Sequence, residues 1–164
     1  MTAYQPGDWH DMFVASAGAA AALTGLIFVA VSINLAKILA DRRLPIRAAE
    51  TLSILVGLLL ASMFVLVPGQ PRPVLGGEIV GLGLVMAVLL HTKRLQIPRE
   101  ADEPLVWSVV PLAIITGGTV PMIGAGISLL ADAGGGLYWM VPELILAFSG
   151  AILNAWILLV EIQR

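Results

Sequence analysis

Apolar positions in this chain fall into five long blocks, not into the alternating or one-sided patterns of soluble strands and helices. The blocks cover 12–36, 48–67, 74–90, 105–131 and 138–160, and none holds more than one charged residue. A bilayer core about 30 Å thick is crossed by about 20 apolar helical residues, so each block predicts a transmembrane α-helix. Polar positions collect in links at 37–47, 68–73, 91–104 and 132–137, too short for a soluble domain between spans. With no long-period repeat, the predicted fold class is all-α: one polytopic bundle of five transmembrane helices, filling 1–164 as a single domain.

Composition removes the alternative of a soluble core. The chain is 59% hydrophobic and 12% charged, whereas soluble domains carry about 25% charged residues. Charge then orients the bundle. Five spans place Lys37, Arg42, Arg43, Arg47, Lys93, Arg94, Arg99 and Arg164 on one side and leave Arg72 on the other. The positive-inside rule puts the N-terminus outside and the C-terminus in the cytoplasm. An even number of spans would scatter the same residues. The predicted location is a bacterial inner (plasma) membrane, multi-pass. The opening 1–11 has no Lys or Arg, so the first block lacks the basic region of a cleaved signal and is expected to stay attached. The absence of cysteine excludes disulfides and thiolate chemistry.

Small residues four apart let membrane helices approach closely. In the first block Ala15 and Ala19, Gly18 and Ala22, and Ala21 and Gly25 are such pairs. Gly57 with Ala61, Gly77 with Gly81, and Ala147 with Ala151 repeat the spacing in blocks two, three and five. Ala15, Gly18, Ala22 and Gly25 form the candidate helix-association face. Two readings stand: packing within the bundle, or contact with another protomer or membrane protein.

The fourth block carries Pro111 and Pro121. Pro121 frees the carbonyl of Gly117, beside Gly118, and predicts a kink or a short unwound stretch near mid-membrane. Glu78 and Glu143 lie within apolar blocks, about one turn below the outer boundary on this reading. With Asp8 and Asp11 they could form an acidic outer vestibule. The alternative is that each carboxylate complements a helix dipole at an N-terminus, as Glu50, Asp102 and Glu103 would. Glu143, behind Pro142 in an apolar run, is the stronger candidate. Asn34 and Asn154, on parallel spans, can bond one another as glue or as a polar site. Tyr138, Trp139 and Trp107 read as interfacial anchors, and Asp8 as the cap of the first helix. His10 and His91 fall on opposite sides and share no metal.

No HExxH, GxSxG or GxxxxGK[ST] pattern occurs, so no catalytic residues, cofactor or metal are assigned and an enzyme is not expected. The run Asp8-Trp9-His10-Asp11 followed by Phe13-Val14-Ala15-Ser16-Ala17-Gly18-Ala19-Ala20-Ala21-Ala22-Leu23-Thr24-Gly25-Leu26-Ile27-Phe28-Val29-Ala30 resembles small bacterial, mainly actinobacterial, integral membrane proteins of unassigned function. Some of these carry the label of modulators of the membrane protease FtsH. The resemblance covers the first quarter of the chain and implies a membrane protein with no assigned site residues. The partners expected are the lipid bilayer and either further copies of the chain or other membrane proteins, not nucleic acid. The expected role is a non-enzymatic protein acting through helix-helix association, as a homo-oligomer or accessory subunit. The alternative is an oligomeric ion or small-solute pathway at the broken fourth helix and the outer carboxylates.

Overall fold

The apolar blocks carry the helices, and prolines and glycines set where they begin and end. A computed structural model describes residues 2–41, 43–96 and 106–163, with the backbone alone at 2, 106–108, 111, 157–159 and 161–163. Arg42, Arg99, Glu100, Asp102, Glu103 and Arg164 therefore lie outside the described residues, as do the side chains of Trp107, Pro111 and Glu161. The helices are α1 (His10–Ile33), α2 (Leu35–Ala40), α3 (Leu44–Leu66), α4 (Arg72–Leu95), α5 (Val106–Ala131) and α6 (Met140–Gln163). Pro45 and Pro73 occupy the first turns of α3 and α4, where a missing N–H has no intrahelical partner to lose. Five helices are long and apolar enough to cross a membrane, and no strand occurs among the described residues. The chain is a multi-pass helical bundle.

Boundaries differ from the sequence reading in instructive ways. The first block divides at Asn34, whose backbone leaves the helical region at φ −107° and ψ 18°. Its side-chain Nδ2 donates to the Ala30 carbonyl at 2.9 Å. Starting α3 at Leu44 and α4 at Arg72 puts Glu50 and Glu78 nearly two turns into their helices, and neither helix has an acid in its first turn. The dipole account thus fails for these two and, among the described residues, stays open for Asp11 and Glu143. Asp8 does not cap α1 either. Pro6 starts a 3-10 turn over Pro6–Trp9, so the chain is already coiled at Asp8, and Trp9 takes the cap position without a side-chain bond. The fourth block is one unbroken helix through Pro111 and Pro121, with no unwound stretch. A proline removes one bond, and α5 is braced on both flanks by α4 and α6.

Helices α3, α4, α5 and α6 form a closed ring in which each touches the next, and α1 lies outside it against α3. The tightest seam joins α4 to α5. A Cβ at Gly126 would sit 2.7 Å from the Gly76 carbonyl oxygen and 2.6 Å from Val80 Cγ2, so backbone meets backbone there. The core runs through the ring, from Leu137, Leu75 and Val65 at the N-terminal end to Leu55 and Leu90 toward the other. Helix α1 contributes little to it: 11% of its most apolar stretch is buried, against 50% for α3.

The link between α5 and α6 folds down into the N-terminal end. Gly134, Gly135 and Gly136 all take positive φ, and Asp132 does so at 54°. Gly136 N donates to Ser128 Oγ at 2.7 Å, Gly135 N donates to Tyr4 Oη at 2.9 Å, and Trp139 Nε1 donates to the Gly134 carbonyl at 2.7 Å. Trp9 and Tyr138 meet edge to face at 4.9 Å. The N-terminal turns thus roof over a link whose Leu137 and Met140 are fully buried. As a result α6 starts well below the end of α5.

Candidate functional site

That sunken start decides where Glu143 lies. Gly124 faces Trp139, Gly117 faces Leu146 and Gly150 faces Ile114 across the antiparallel α5–α6 seam. The same register sets Glu143 opposite Val120 and Pro121, roughly 15 Å along α5 from Ala131 and about 3 Å from the midpoint of that helix. Glu143 is in the first turn of its own helix, as expected, yet in the middle of the bundle and not one turn below its rim.

The side chain is 4% exposed, and its Oε2 is buried with no hydrogen-bond partner. It lines a cavity of about 30 Å³ to which all four ring helices contribute, with Gly57 and Leu58 of α3, Met86 of α4, and Gly118 and Thr119 of α5. That is room for a water molecule beside the carboxyl. Thr119 Oγ1 donates to the Ile115 carbonyl at 2.9 Å, so its hydroxyl proton is already engaged. Glu143 and Gly118 of the fourth block therefore line one shared cavity. Thr119, Met86 and Gly57 also line it; of these the sequence marks only Gly57, through its small-residue spacing with Ala61. Gly117 is half-buried under Leu146 and Pro121 is half-buried beside the level of Glu143, but neither lines the cavity.

The acidic vestibule is not assembled. Glu78 is half-buried and accepts a 2.5 Å hydrogen bond from Gln70 Nε2, Asp8 and Asp11 are exposed, and none of the three lines the Glu143 cavity. At the N-terminal rim Arg72 instead pairs with Asp132 at 2.7 Å, an exposed contact of small energetic weight. Asn34 and Asn154 are half-buried and no bond joins them, because Asn34 is satisfied within its own helix and α1 touches α6 only slightly.

The small-residue pairs divide cleanly. Gly57 with Ala61 and Ala147 with Ala151 are buried in the ring. Ala15, Gly18, Ala22 and Gly25 follow the 3-4-3 spacing of one helix stripe, and all four are exposed. A Cβ added at Gly18 or Gly25 would meet nothing within 4 Å. The opposite side of α1, with Phe13, Ser16 and Ala20, is the one that packs on the ring. On α4, Gly77 and Gly81 are likewise open.

Compared with known proteins, the chain matches no protein family, no curated protein and no solved structure.

Proposed function

We propose that this is a non-enzymatic membrane protein that works by lateral association through α1, as a homo-oligomer or as an accessory subunit of a membrane complex. The observation that carries the reading is the unused stripe of Ala15, Gly18, Ala22 and Gly25. Glycines at the ring seams are filled by neighbours, Gly57 by Met86, Gly83 by Ile123, Gly126 by Val80 and Gly76, while Gly77 and Gly81 on the outer side of α4 are open. Those of α1 are open too, although lipid tails gain nothing from a glycine surface while a second helix gains close backbone contact. The charge asymmetry supports a bacterial inner membrane with the N-terminus outside.

The test is the mass of the intact particle, extracted in a mild detergent and measured by native mass spectrometry. Leu in place of both Gly18 and Gly25 fills the stripe, faces nothing in the bundle, and is expected to disperse the assembly to single chains. A particle of unchanged mass would sink the reading.

A further inference from the structure

We propose that Glu143 and the cavity around it form a proton-binding site in the middle of the membrane. The proposal goes beyond association, since no residue of the α1 stripe takes part in it.

The ligand follows from what the cavity offers. A carboxylate held as an anion needs donors, and Oε2 has none. Thr119 is the only polar side chain among the other lining residues, and its hydroxyl proton is committed to Ile115. A metal cation such as Ca²⁺ needs six or more oxygens and Mg²⁺ a near-octahedral set. One carboxyl and one hydroxyl among Ile, Leu, Met, Gly and Ala fall well short of either. A proton needs one carboxyl and a water to deliver it, which the cavity accommodates. Among the described residues, no other ionisable group answers the charge from the packed helices. On α3, Arg47 and Glu50 lie a turn or more from Ile54 toward the basic end. On α4, His91 turns to the Ala87 carbonyl at 2.7 Å and to Thr116, Lys93 reaches Ala49 and Ser53 on α3, and Glu78 is held by Gln70. Arg94 lies a turn beyond Leu90 toward the basic end, and α5 has no charged residue.

Glu50 supplies the internal contrast. It is buried too, but the positive charges of Arg94, Arg47 and Lys93 act on it and offset part of the cost of that burial. One buried carboxyl has cations built around it, and the other has a small apolar chamber. Releasing the proton from Glu143 leaves an unpaired charge that must draw in water or part the four helices. Proton occupancy and closure of the ring are thereby linked.

The experiment is infrared difference spectroscopy on the full chain in phosphatidylethanolamine–phosphatidylglycerol vesicles. The spectrum of Glu143→Gln is subtracted from that of the native protein at neutral pH, and Glu143→Asp serves as a second variant that keeps the chemistry. The expected result is a carbonyl band of a protonated carboxyl in the native protein, shifted down in D₂O, displaced in Glu143→Asp, and lost as the pH is made alkaline. Carboxylate bands in its place at neutral pH overturn the proposal. So does an acid band that disappears on adding Na⁺ or K⁺ at constant pH, which would make the ligand a metal cation. Glu78→Gln is expected to leave the band unchanged.

Discussion

Glu50 and Glu143 differ in their surroundings far more than in their burial, and substitution should separate them. Replacing Glu143 with Met exchanges an unpaired polar atom for an apolar chain of similar reach beside Met86. Swapping poorly satisfied buried ionisable groups for well-packed apolar ones is often neutral or stabilising by about 1 kcal/mol or more. Glu50→Met removes the anion that faces Arg47, Lys93 and Arg94 and leaves the buried charge of Arg47 without it, a loss of about 3 kcal/mol. Thermal unfolding in detergent should place Glu143→Met at or above the native protein and Glu50→Met well below it. The reverse order would mean that Glu143 holds the ring together. The sequence marks Glu143 because a charge stands out of an apolar run. It does not mark depth, which depends on three consecutive glycines folding the link inward under Tyr4 and Trp9. Counting residues from a span boundary cannot detect that displacement.

At the scale of elements, block lengths and prolines were enough to place five spans to within a few residues, because hydropathy is a property of composition. Which face of each helix is used was not legible, since Gly57–Ala61 and Gly18–Ala22 share one spacing and have opposite fates. The difference lies in the partner: α3 sits among α1, α4 and α6, whereas α1 has one full neighbour. Of the kink or unwound stretch expected at Pro121, the unwound stretch is absent for a related reason, as α4 and α6 flank α5 and hold it together. Glycine substitutions read these environments directly. Gly126→Ala forces a methyl against the backbone of Gly76 and Val80 and is expected to cost about 1–3 kcal/mol. Gly18→Ala meets nothing in the bundle and should leave chain stability unchanged or raised slightly, through helix propensity. Equal unfolding temperatures for the two variants would refute the α4–α5 seam described above.

The whole molecule is then a four-helix ring with a fifth span attached along one side, an arrangement that leaves α1 with one face for the ring and one for something else. Charge and packing agree on how that surface would be used. Under the proposed homo-association, copies inserted in one orientation would present their α1 stripes parallel to one another, and Ala15, Gly18, Ala22 and Gly25 of neighbouring copies would meet at equal depth. The native chain has no cysteine, which makes the geometry accessible to single substitutions. Cysteine at Gly18 or Ala22 is expected to form oxidative cross-links between copies in the membrane. Cysteine at Ala20, which is fully buried against the ring, should not. A maleimide that does not cross membranes should label Gln5→Cys on intact spheroplasts and Gln96→Cys only after permeabilisation, since these exposed residues cap opposite ends of the bundle. Cross-links with the 3-4 periodicity of the stripe would identify the partner as a second copy. Strong cross-linking at Ala20 would instead mean that α1 leaves the ring to pair, and the arrangement of α1 on α3 would have to be abandoned for the assembled protein.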